Sequence, residues 1–513
     1  MNETWSIGKQ ETRSKHGLVA CQNWLAAEAG ARVLSAGGNA VDAAVVTALV
    51  LSVVEPWLSG IGGGGFMLRA DGGSGVVDVL DFNVISPAAL RPDDYPLVAG
   101  QDGDWFEWPS VQGDRNLLGY GSICVPGAVA GFAEALDRFG TISWADALAP
   151  AIEHAHRGLQ VDWYAALALA IDGHNLAQFK GAADLFLRDG RAPRVPEGGR
   201  SLFLPMKAKA ASLERLAREG ARDFYEGEIA ELLVADLSKG GSALSKADMR
   251  AYAPKWLQPA AGSYMGRRVH AVPGLSGGPT LLAALNELEE LPRDADPHSG
   301  ATALAFARAL RRASEYRLKH MGHAAGESCT SHVSVVDASG TMVSLTNTLL
   351  SRFGSKVVVP ELGFALNNGL MWFDPRPGHP NSIAPAKQPL ANMCPIIATR
   401  DGLPELALGA AGGRQIVPAV AQILSYVLAF GMSLEKALFS PRIDASGTTI
   451  RVSRTAGAEV AASVAADFDV QVIDDTLYPV NFAVPSAVMR RDGVSTGMVH
   501  PRNPWAAVRE ATI

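Results

Sequence analysis

The stretch from 326 to 348 restricts this chain more than any other. A small polar run, Gly326-Glu327-Ser328-Cys329-Thr330-Ser331-His332, passes without a break into Val333-Ser334-Val335-Val336-Asp337. Ala338-Ser339-Gly340 supplies a turn, and Met342 to Thr348 forms the return. Strand-type alternation on both sides of a glycine turn predicts a β-hairpin. One reading is an ordinary hairpin. The other is chemical: cleavage before Thr330 would make that threonine a chain start carrying its own base. An α-amine has a reference pKa of about 7.7–8.0, so near neutral pH a useful fraction can accept the hydroxyl proton without a histidine.

The rest of the chain reads as a mixed α/β framework. Residues 17–70 suggest strand, helix, helix, strand, with Gly37-Gly38 ending the first helix and Asn39 beginning the second. The apolar run from Val41 to Trp57 contains Asp42 and Glu55 and stops at a proline, which predicts a buried helix and not a membrane span. Residues 76–82 read as a strand, 98–121 as a polar, aromatic loop, and 127 to about 240 as mainly helical. A strand at 269–272, helices at 279–290 and 300–320, and alternating strands from 331 complete the pattern. With 48% hydrophobic and 19% charged residues among 513, disorder is excluded. A net charge of −7 offers no basic excess for nucleic acid. Cys21, Cys124, Cys329 and Cys394 form no CxxC pair, so no zinc or redox motif is encoded. The first residues, MNETWSIGKQETRSKHG, lack an apolar signal core, and a cytoplasmic protein is the expectation.

Three further motifs have competing readings. Gly60-Ile-Gly62-Gly-Gly-Gly65 matches a dinucleotide fingerprint in letters, but a helix precedes it and a strand follows, the reverse of what phosphate binding needs. A tight turn packed on another backbone is expected instead. Gly274-Leu-Ser276-Gly-Gly278 matches the nucleophile elbow GxSxG, with His298, His320, His323, His332, His379 and His500 downstream as bases for a Ser276 hydrolase. The histidine pairs 154/156 and 320/323 lack a carboxylate in a ligand pattern and read as surface residues.

Thr330-Ser-His-Val-Ser-Val-Val-Asp337 resembles the processing site of the γ-glutamyltransferase family of N-terminal-nucleophile (Ntn) hydrolases. The likeness extends through Gly37-Gly-Asn-Ala-Val-Asp-Ala-Ala44, Gly60 to Gly65, Val125-Pro-Gly-Ala-Val-Ala-Gly131, Asn367-Asn368, Pro389-Leu-Ala-Asn-Met-Cys-Pro395 and Gly409-Ala-Ala-Gly-Gly413. It implies an α/β (α+β) fold, a four-layer αββα sandwich built by both processed subunits, residues 1–329 and 330–513, as one interwoven domain. It implies cleavage between Cys329 and Thr330, Thr330 as nucleophile, Thr348 as its orienting hydroxyl, and the Gly412 and Gly413 amides as oxyanion hole. No metal or organic cofactor is implied. The partners implied are a small-molecule amide and the two pieces of the chain's own precursor, with a dimer of heterodimers admitted.

The departures from the family pattern concern the substrate. Asn83 follows Asp81-Phe82 where glutathione-processing members carry an arginine, and Leu350 replaces an asparagine. Gly369 and Trp372 replace a glutamine and an aspartate, and Ala391-Asn392 a serine pair. The amino-acid clamp is therefore missing. Thr348-Leu-Leu-Ser-Arg-Phe-Gly354, Asn368-Gly-Leu-Met-Trp-Phe-Asp-Pro375 and Phe106-Glu-Trp-Pro109 resemble the oxamate-amidohydrolase-like branch of purine catabolism. That likeness implies a small carboxylate-bearing amide, with Arg115 or Arg352 as the cation and Asn83, Trp372 and Asn392 around it. The alternatives are a glutathione-hydrolase-like or cephalosporin-acylase-like enzyme of the same family, a serine hydrolase using Ser276, and an unprocessed binding protein.

Overall fold

The computed structural model describes residues 8–100, 108–195, 197–198, 201–292, 294–322, 329–478 and 480–512. Phe106, Glu107, His323 and Gly326 to Ser328 lie outside them. The predicted hairpin is present as strands Cys329–Asp337 and Met342–Leu350. It sits at the centre of a seven-stranded antiparallel sheet. The order across that sheet is Ala507–Glu510, Gly17–Cys21, Cys329–Asp337, Met342–Leu350, Gly64–Ala70, Val77–Phe82, Lys255–Leu257. A second seven-stranded sheet runs Thr12–Ser14, Val494–Val499, Val484–Arg491, Leu403–Ala411, Ile396–Arg400, Arg267–Ala271, Ala260–Tyr264.

Period-two alternation assigns the two faces of the hairpin. Val333, Val335, Val343 and Leu345 enter one core with helices Trp24–Ser35 and Ala40–Val54. Val336 and Met342 point the other way, into an apolar layer shared with Ile397, Ala407 and Val488 of the second sheet. The opposite face of that second sheet buries Leu406, Leu408 and Ala410 against helices Gly278–Leu288, Gly300–His320 and Ile416–Leu428. The layers are thus helix, sheet, sheet, helix, as expected. Both seven-stranded sheets combine strands from before and after Thr330.

The Val41-to-Trp57 run becomes the helix Ala40–Val54, whose residues 40 to 53 are all buried. Its start is determined by a capping box: the Asn39 side chain accepts from the amides of Val41 and Asp42, and the Asp42 carboxylate accepts from the Asn39 amide. No helix among the described residues is long and apolar enough to cross a membrane. The run Gly60 to Gly65 that follows is a packing turn, as expected. A Cβ on Gly63 would lie 2.1 Å from the Thr348 carbonyl oxygen, so only glycine lets this segment pass the hairpin.

Candidate active site

The hairpin has an irregularity at one place. Cys329 pairs with Leu350 but Thr330 pairs with Thr348, so the register shifts between 329 and 330. Opposite the shift, Leu350 is buried with φ of 81°. A left-handed conformation costs a non-glycine residue on the order of 1–2 kcal/mol, and strain of this kind gathers at functional sites. The bulge brings three oxygens into line. Thr330 Oγ1 donates to Thr348 Oγ1 at 3.3 Å, and Thr348 Oγ1 donates to the Cys329 carbonyl at 2.5 Å. The Leu350 amide donates to Thr348 Oγ1 at 2.8 Å and holds it in place. Thr330 and Thr348 are fully buried.

Across the layers, the Leu403–Ala411 strand packs on the hairpin. Ser344, the register partner of Ser334, donates to the Leu408 carbonyl. One step along, the His332 ring lies against Gly409, where a Cβ would meet it at 2.3 Å. The strand ends in the turn Gly412-Gly413, with φ of 137° and 60°. Those angles suit glycine and turn the chain from strand to the helix Ile416–Leu428. Asn367 and Asn368 tie the surrounding loops together. Asn367 Nδ2 donates to the Gly62 and Cys124 carbonyls, and Asn368 Nδ2 to the Leu117 carbonyl and the Ser351 hydroxyl.

At the positions expected to contact substrate, the structure alters several readings. Arg352 is not an uncommitted cation: its Nε lies 3.1 Å from Asp172 on the helix Trp163–Leu176, which also pairs with Lys356. Arg115 lies 5.6 Å from the Tyr95 ring centroid, with Gly121 packed on its stem. Asn83 and Trp372 are buried, and among the described residues Asn83 Nδ2 and Trp372 Nε1 have no hydrogen-bond partner. The Asn83 acceptor is occupied by the Val84 amide. Both positions therefore present neutral N–H donors. Asn392 is held by a residue the sequence did not single out. Buried Arg317 donates to the carbonyls of Ser276 at 2.6 Å and Ala391 at 2.8 Å, and to Asn392 Oδ1 at 3.3 Å. Burial pushes its guanidinium down to about 10. In the sequence it is one of several arginines on a long helix, and nothing local distinguishes it.

The Ser276 hydrolase reading is overturned by geometry. Ser276 is fully buried, its hydroxyl donating to the Val272 carbonyl at 2.7 Å and accepting from the Gly278 amide at 3.0 Å. It closes a strand-to-helix turn, and among the described residues no histidine hydrogen-bonds to it. His332 is also committed, between Thr346 and Ser334. Burial lowers its pKa to about 3 from an ordinary 6.5. Between those values the unfolded chain binds a proton that the folded chain refuses, so stability falls as pH drops below 6.5. For one such group the slope is about 1.4 kcal/mol per pH unit. Urea unfolding near pH 7 and near pH 5.5 should show this loss, and His332→Gln should reduce the difference. Equal pH dependence in the two proteins would remove His332 as the cause. His156 pairs with Glu214 on the surface, and His320 stacks on Tyr316.

The chain is similar to known proteins over nearly its whole length. The family profile Gamma-glutamyltranspeptidase matches residues 26–329 and 313–509. The Acylase ACY 1 proenzyme of Pseudomonas sp. strain V22 is 32% identical over 499 residues, covering 89% of this chain and 88% of that protein. The Glutathione hydrolase proenzyme of Bacillus subtilis strain 168 is 30% identical over 492 residues, covering 85% and 81%. A crystal structure of cephalosporin acylase from Bacillus halodurans is similar with a TM-score of 0.85 at 27% identity, covering 100% of this chain and 99% of that one.

Proposed function

Because this chain belongs to the gamma-glutamyltranspeptidase family, we propose that it is an autoprocessing amide hydrolase of the acylase kind, cut between Cys329 and Thr330 into 1–329 and 330–513. The observation that carries this reading is the line from Thr330 Oγ1 through Thr348 Oγ1 to the Cys329 carbonyl oxygen. Thr330 Oγ1 attacks the Cys329 carbonyl carbon. Its proton passes to Thr348 as Thr348 gives its own to the developing oxyanion. Collapse breaks the Cys329–Thr330 C–N bond and leaves an ester, with the proton returned to the Thr330 nitrogen. Water then opens the ester to a Cys329 carboxylate and a free Thr330 amine.

The freed threonine acts on the substrate in the same way. Its α-amine takes the hydroxyl proton, Oγ1 forms an acyl ester, the amine leaves with that proton, and water releases the acid. The Gly412 and Gly413 amides are the candidates to stabilise the second oxyanion, in a site whose fixed dipoles need no reorganisation.

The acyl side favours the acylase over the glutathione hydrolase. Asn83 Nδ2 and Trp372 Nε1 are donors, and an ammonium is also a donor, so the α-amino end of a γ-glutamyl group meets no acceptor there. The narrower reading, a small carboxylate-bearing amide such as oxamate, is served by the same two donors, without Arg352 or Arg115. A glutaryl anilide, which is the γ-glutamyl anilide without its amino group, should be cleaved at least about tenfold faster in kcat/KM than the γ-glutamyl compound, since hydrogen bonds involving charge are worth about 1.5–3 kcal/mol. Oxamate in the same panel separates the two acyl readings: turnover exceeding that of the glutaryl anilide selects the small amide. Preference for the γ-glutamyl anilide would return the chain to glutathione-hydrolase chemistry.

A further inference from the structure

A cavity of about 80 Å³ lies beside the C-terminal end of the helix Ala40–Val54, with Asn23, Tyr164 and Trp505 in its wall. Its walls are aromatic. Tyr164 stacks on Trp505 with ring centroids 4.5 Å apart, Trp57 meets Tyr164 edge-on at 6.1 Å, and Trp24 stands 38% exposed at the rim. Glu55 lines this cavity, is itself fully buried, and among the described residues has no hydrogen-bond partner on either carboxylate oxygen. It also caps the C-terminal end of the helix Ala40–Val54, where the helix dipole opposes a negative charge. A second carboxylate, Asp162, lines the same space, its oxygens taken by the Tyr164 and Ala165 amides and by Trp505 Nε1.

Two acids, aromatic faces and a helix C-terminus all select for positive charge, and among the described residues no side-chain cation is bonded to Glu55. We propose that this cavity is a binding site for a small organic ammonium, with Glu55 as counter-ion and the Trp57, Tyr164 and Trp505 rings as cation–π walls. The ammonium N–H groups supply the donors that the Glu55 oxygens lack, and the rings cover its alkyl part. The other charged or titratable groups facing Glu55 and the cavity are Arg157, which rests 5.1 Å from the Phe203 ring centroid, His154, Tyr164 and Cys21. Burial, and secondarily Asp162, hold the Glu55 carboxyl well above the usual carboxylate range. Burial thus favours the protonated carboxyl, and an arriving ammonium favours its ionisation. This assignment is independent of Thr330 and of the acyl group proposed above.

Calorimetric titration of the purified protein with n-butylammonium, tetramethylammonium and n-butanol tests it. n-Butylammonium should bind and n-butanol should not. Titrations in two buffers of different ionisation enthalpy should show proton release on binding. Glu55→Gln should weaken n-butylammonium by at least about tenfold and abolish the proton release, as expected for loss of a desolvated charge partner. Trp24→Ala, at the exposed rim, should weaken binding several-fold without removing the proton release. Equal affinity for n-butanol, unchanged affinity in Glu55→Gln, or no binding of either ammonium overturns the proposal. Tetramethylammonium binding more tightly than n-butylammonium would place the rings ahead of the carboxylate and overturn the counter-ion role.

Discussion

Thr330→Ala will yield a single chain of 53.9 kDa on a denaturing gel, where the native sequence yields two shorter bands. The substitution removes the atom that attacks the Cys329 carbonyl and leaves the backbone pairing of Thr330 with Thr348 available. Amide hydrolysis should fall by about 10⁴-fold or more, the scale seen when an enzyme loses its nucleophile. Both effects have one cause in the proposed mechanism, where the hydroxyl that cuts the chain also accepts the acyl group. N-terminal sequencing of the smaller native band should begin at Thr330. Thr330→Ser keeps an attacking hydroxyl and should still process. Normal cleavage of Thr330→Ala would show that some other group cuts the chain.

Thr348→Val should slow processing by about 10²–10³-fold, the usual result of losing one aimed oxyanion donor. Valine matches threonine in shape but cannot donate to the Cys329 carbonyl or accept from Thr330. It also strands the Leu350 amide, and a buried unsatisfied donor costs about 1–3 kcal/mol. Processing half-time and thermal midpoint therefore have to be measured together. Thr348→Ser should recover cleavage to within about tenfold, because it restores all three hydrogen bonds. Cleavage of Thr348→Val at the native rate would show that the 2.5 Å contact with Cys329 contributes nothing to catalysis.

The elements around the nucleophile were legible because their causes are local. Alternation after Thr330 assigns each side chain to one face of the sheet, and a glycine turn between two such runs closes a hairpin whatever surrounds it. The helix Ala40–Val54 announces itself in the same way, through Asn39 and Asp42 at its start and an apolar surface all round. The ordered motifs from Gly37 to Gly413 pointed to the family, and the four layers followed from that.

The substrate side was not legible from pattern, because electrostatic roles depend on partners that only folding supplies. Arg352 is committed to an aspartate on a helix remote in sequence, and Arg317 is drawn into the interior by carbonyls of two separate loops. Ser276 has the letters of a nucleophile, yet its hydroxyl closes its own turn. Glu55 was visible only as an acid in an apolar run; that no cation reaches it is a property of everything packed around it. The sequence alone determined the hairpin and the buried helix before it, since those follow from short-range sterics and periodicity, while the family resemblance singled out Thr330. The tertiary structure decided which charges remain unpaired and which donors face inward, since burial and Coulomb energy depend on distance in space and not on distance along the chain.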